Sequence, residues 1–176
     1  MLISNLSANL KEKSLLLQPI YNFKRLIKDL FVFKLFTKYF NAPRLEKRLL
    51  RQTFYWLVVS FIWVRWLPLR WFSHRLGAFR KETDVVLEEE QEELIRKAQQ
   101  ALRRLKRRLP WKVKCFEEAI AVKKVLEKYG IESTLYLGVK KEGLESLKAH
   151  AWLKAGGKVV AGERGHQEFT VVGFYS

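Results

Sequence analysis

The chain has 176 residues, 48% hydrophobic and 14% aromatic, with 34 Lys/Arg against 18 Asp/Glu and a formal charge of +16. That length suits one modest domain with an N-terminal extension. Its single cysteine excludes an internal disulfide framework and any multi-cysteine zinc site, and a lone free thiol fits a reducing cytoplasm.

The charge is lopsided: residues 1–80 carry 15 basic and 3 acidic side chains, whereas residues 81–176 carry 19 and 15. A basic front half points either to an anionic partner or to a solvated face that serves solubility. Residues 1–20 lack the basic start, apolar run and small-residue cleavage site of a signal peptide. Tyr21 to Phe40 places Phe23, Leu26, Ile27, Leu30 and Phe33 at helical spacing among lysines, a basic amphipathic helix that suits a membrane surface or a packed face. Asn41-Ala42-Pro43 then punctuates the chain, so 1–42 reads as an extension. A helix is expected from Pro43 to Trp66, stopped near Pro68. Within it Phe54 to Val64 is apolar or small for 11 residues, short of the roughly 20 that span a bilayer. It reads as a buried core helix or, with its aromatics and flanking arginines, as a peripheral membrane contact.

A short helix over Arg70–Gly77 comes next. Thr83 or Asp84 is positioned to cap a long helix from Val85 to Leu109, with five glutamates crowding its start and five basic residues its end. That order matches the helix macrodipole, so the basic cluster calls for no nucleic acid. Pro110 stops it, giving a helical region over 43–110. Cys115 to Tyr129 forms the next helix, with Phe116, Ala119, Ile120, Val122, Val125 and Leu126 inward and Gly130 as its C-terminal stop. The period then changes to that of strands: Ile131–Val139, Lys148–Ala155, a Gly156-Gly157 hairpin turn into Lys158–Ala161, and Phe169–Tyr175. Helices followed by an antiparallel sheet make an α+β fold, with 43–176 one folded unit and 111–176 its chemical core.

Few groups here do chemistry. Cys115 opens a helix, where unpaired amides and the positive end of the macrodipole favour a thiolate, and Lys112 and Lys114 add positive potential. The N–H of Cys115 itself is the best placed donor for a developing oxyanion. Taken alone, the cysteine is more simply a small buried residue. His150 alternates with Ala149 and Ala151 on a strand, and nucleophile and base on adjacent elements are what thiol catalysis needs. A third group should fix the imidazole's tautomer. No aspartate follows Asp84, so Glu163, 13 residues past His150, is the nearest carboxylate. Gln167 and Glu168 stand behind it, and His166 is an alternative base in the loop. No metal-ligand spacing, phosphate-cradling glycine loop or other cofactor signature is present.

Leu109-Pro110-Trp111, Cys115 on its helix, Gly130-Ile131, Leu137-Gly138-Val139 and Ala149-His150-Ala151-Trp152 together resemble the leader peptidases of lasso-peptide biosynthesis, which are related to the microcin-processing protease. The similarity covers residues 45–176. It implies a papain/transglutaminase-like fold and a cysteine protease that removes the leader from a ribosomally made precursor, freeing the core peptide for a cyclase. Carried over by position, Cys115 is the nucleophile and His150 the base. The family's aspartate falls where this chain has Gly162 and Glu163, so the dyad transfers more readily than the triad. The partners implied are the precursor leader, a small leader-recognition protein and the cyclase. An acyltransferase with the same Cys-His site, or a non-catalytic transglutaminase-like binding or membrane-associated protein, are the other readings.

Overall fold

A computed structural model describes residues 43–82, 85–142 and 146–176. The chain divides into Met1–Pro43 and Arg44–Ser176, and every element described belongs to the second unit. The Tyr21–Phe40 helix and the Thr83/Asp84 cap lie outside the described residues.

Helix α1 (Arg44–Trp66) buries Leu49, Thr53, Leu57 and Ser60, spaced four, four and three apart, so a single stripe faces the interior. Its Phe54–Val64 stretch is therefore neither wholly buried nor wholly interfacial. Leu57 and Ser60 point inward, whereas Phe54, Tyr55 and Ile62 are exposed. No described helix is long and apolar enough to cross a membrane. After Pro68 the expected Arg70–Gly77 helix is one α turn, α2 (Leu69–Phe72), and a 3-10 turn over Ser73–Arg75.

Helix α3 spans Glu89–Lys106. It starts four residues later than the periodicity predicts. The reason is tertiary: Leu87 packs on the β2–β3 turn, where a Cβ on Gly156 would meet its Cδ1 at 2.4 Å. Residues 85–88 stay outside the helix to allow this, and Glu88 (φ −74°, ψ 156°) caps it, its N–H donating to Gln91 Oε1 at 3.1 Å. The basic end of α3 is held by acids of its neighbours as well as by the dipole. Arg104 bonds Glu46 of α1 at 2.9 Å and Lys106 pairs with Glu118.

Helix α4 (Cys115–Glu127) is the centre of the unit. Ala119, Ile120, Ala121, Val122, Val125 and Leu126 are all buried, because α1, α3 and the sheet pack around it. Gly130 (φ +67°) reverses the chain, and the Ile131 N–H closes on the Leu126 carbonyl at 3.1 Å. That reversal uses Ile131–Ser133, so the first strand starts at Thr134 rather than Ile131.

The sheet is β1 (Thr134–Glu142), β2 (Ser146–Ala155), β3 (Lys158–Ala161) and β4 (Thr170–Tyr175), in the order β3-β2-β1-β4 and antiparallel throughout. Leu135, Ala151, Leu153, Ala155 and Tyr175 join the helical core. Tyr136 and Trp152, of the opposite parity, are buried outside that cluster and stack on each other at 5.5 Å and 5°. This is an α+β arrangement, with the helices first in the chain and one antiparallel sheet after them.

Lys123 of α4 is buried, and its ammonium donates to the Ser133 carbonyl at 2.7 Å. Burial lowers its pKa below the ordinary value of 10.5, an effect partly offset by Glu127. The unfolded chain thus keeps this proton to higher pH than the folded one. Stability contributed here rises as pH climbs from the folded pKa toward the unfolded value. Lys123→Met should flatten that alkaline rise, measured by urea unfolding at several pH values below 10.5; equal slopes in the two proteins would sink the idea.

Candidate active site

Helix α3 ends at Lys106, the chain bends at Pro110 and Trp111, and Lys114 (φ −84°, ψ 156°) caps α4. Cys115 is therefore the first helical residue, a free and half-buried thiol beside amides that have no intrahelical acceptor. The first turn is braced by Glu117, whose side chain is wholly buried. Its carboxylate accepts from the Lys114 N–H at 3.2 Å and from the Arg65 guanidinium. Ser60 Oγ donates to the Glu117 carbonyl at 3.2 Å. Aromatic rings line the same region, with Phe61 4.9 Å from Trp111 and Phe72 6.1 Å from Phe116.

His150 lies on β2 opposite Gly138 of β1. Its ring stacks on Trp152 (6.1 Å, 24°) and tilts against Phe169 (4.9 Å, 33°). Gly138 makes this packing feasible: a Cβ there would sit 2.8 Å from the Trp152 ring and 2.9 Å from Phe169 Cβ. His150 Nε2 is 2.7 Å from the Gly162 carbonyl oxygen. Cys115 stands on α4 and His150 on β2, two elements that pack together, but the His150 ring lies with Trp152 on the strand face opposite Ala151, Leu153 and Ala155 of the helical core, and no hydrogen bond joins thiol and imidazole.

The remaining candidates are placed elsewhere. Glu163 is exposed, and among the described residues its carboxylate makes no hydrogen bond or ion pair; the residue contributes its carbonyl to His166 Nδ1 at 2.7 Å. Glu168 pairs with Lys140, whose ammonium holds the Glu168 carboxyl below the usual carboxylate range. Gln167 is exposed, and His166 approaches Trp152 at 5.8 Å. Among the described residues no three His, Cys, Asp or Glu side chains gather as a metal site would require. Sequence reasoning missed the Arg65–Glu117 brace and the Gly162 contact. An acid at the third helical position was a signal for the first, and a glycine where the resembling family has its aspartate was a signal for the second.

The sequence profile of the transglutaminase-like superfamily matches residues 58–173, about two thirds of the chain. The chain belongs to the transglutaminase-like superfamily. The match runs from the middle of α1 into β4, so this transglutaminase-like unit includes Cys115, His150 and the Gly162–Phe169 loop. No curated protein and no solved structure matches the chain.

Proposed function

We propose that the chain is a cysteine peptidase that removes the leader from a ribosomally synthesised lasso-type precursor. The observation that carries the reading is the chain's one thiol on the first residue of the central helix, packed on the strand that bears His150 in a transglutaminase-like unit. The local motifs from Leu109 to Trp152 support the leader-peptidase branch over others of the superfamily. In this reaction the Cys115 thiolate attacks the scissile carbonyl carbon, and the Cys115 N–H at the helix start stabilises the oxyanion. His150, having taken the thiol proton, gives it to the leaving amine. It then deprotonates the water that hydrolyses the thioester. The basic residues ahead of Lys81 support docking of an acidic leader or of the small leader-binding partner, and the freed core would pass to the cyclase.

The test is incubation of the full chain with a leader-bearing precursor encoded beside its gene, with and without the small leader-binding protein and with added methylamine, read by mass spectrometry. Hydrolysis at one peptide bond, dependent on Cys115, is expected. Incorporation of methylamine in place of hydrolysis would convert the reading to acyl transfer. An intact precursor under every condition would end both.

A further inference from the structure

The triad reading expects a carboxylate behind the imidazole. The geometry points instead to the main-chain carbonyl of Gly162 as the group that orients His150 and sets its tautomer. Its catalytic meaning rests on the peptidase reading; the hydrogen bond itself does not.

The chemistry rests on one distance. A carbonyl oxygen only accepts, so the 2.7 Å contact requires His150 to donate Nε2–H. Neutral imidazole carries one ring proton, which leaves Nδ1 as the lone-pair nitrogen. Among the described residues Nδ1 has no hydrogen-bond partner, as a base awaiting a thiol proton must. The same carbonyl accepts equally well from imidazolium, so Nδ1 can gain and lose a proton without breaking the contact. A carboxylate would add charge to this orientation; a carbonyl supplies the orientation with only its dipole.

Gly162 does this through its lack of a side chain. Its φ is +69°, and a Cβ would fall 2.2 Å from the Ala151 carbonyl oxygen and 2.9 Å from Trp152 Cα. The chain leaving β3 therefore passes against β2 at a separation that only glycine allows, and that approach puts the carbonyl on the ring. Trp152 and Phe169 fix the ring plane from its sides. His166, bonded to the Glu163 carbonyl, ties the following turn of the loop. The arrangement sets one acceptor, a main-chain carbonyl, against the His150 ring and gives Gly162 a positioning role.

The experiment is nitrogen-15 labelling of the histidines in the full chain, reading through couplings to the ring protons which nitrogen carries the proton. Signals lost in His150→Gln identify His150. The expected result is a neutral His150 in the Nε2–H form, preferred by about tenfold, which is the yield of one hydrogen bond. Glu163→Gln should retain it. Gly162→Ala, whose Cβ must push the carbonyl away, should erode the preference and any Cys115-dependent turnover together. Should that variant not fold, the first two measurements still decide. A dominant Nδ1–H form, or a preference that disappears in Glu163→Gln, overturns the assignment. The expected tautomer in a chain that cleaves nothing would uphold the Gly162 contact and refute the peptidase reading alone.

Discussion

Cys115→Ala should lower peptide-bond cleavage by about a thousandfold or more while leaving the fold intact. The loss is large because the thiol is the atom that forms the covalent intermediate, and no other cysteine exists to replace it. The fold should survive because the thiol is only half buried and bonds to nothing. A thermal midpoint within about 2 °C of the parent is the expected control, in keeping with a side chain outside the core. His150→Gln should cost a comparable factor. The sharper test is the double variant. Groups that act as one unit lose their effect together, so Cys115→Ala/His150→Gln should be no slower than either alone. Losses that multiply would show that thiol and imidazole serve separate steps, and the dyad would have to be abandoned. Retained cleavage by Cys115→Ala would remove the cysteine from the chemistry altogether.

How much of the fold was legible in the sequence depends on how local each signal is. The change from helical to strand period at Gly130, and the stops at Pro68 and Pro110, are written in neighbouring residues, so the order of elements and the settings of Cys115 and His150 could be read directly. The start of α3 could not, because the contact of Leu87 with the β2–β3 turn joins residues about 70 positions apart. The outward aromatic cluster of Tyr136, Trp152 and Phe169 is likewise set by strand register. The group behind His150 is a different kind of omission. Every residue has a carbonyl, so a search among side chains for the third member turns to Glu163 and passes over the residue before it. Only the glycine, which frees the backbone to approach β2, marks the place.

Arg65→Met should destabilise the fold by about 3 kcal/mol, because it strands the Glu117 carboxylate. Glu117 has a side-chain exposure of 0%, whereas Arg65 retains 25%, so the cost falls at the low end for a buried pair. Desolvating a carboxylate is tolerable here only because Arg65 and the Lys114 N–H both donate to it. With the guanidinium gone, one backbone donor is left for a full negative charge. The Arg65 contact with the Phe61 ring, at 3.8 Å, is lost as well. In a chain of this size about 3 kcal/mol corresponds to a fall of about 9 °C in thermal midpoint. Glu117→Gln should cost less, since the amide oxygen can still accept from Lys114. Arg65→Met/Glu117→Gln should recover more than half of the Arg65→Met loss, which separates an unpaired charge from lost packing. A single-variant shift under about 2 °C would mean that water already screens the pair. The brace also bears on chemistry, because Glu117 is two residues from Cys115 and ties the first turn of α4 to α1. Turnover in the double variant should therefore stay below the parent after stability is restored, since neutral partners fill the space without fixing the helix start on which the thiol stands.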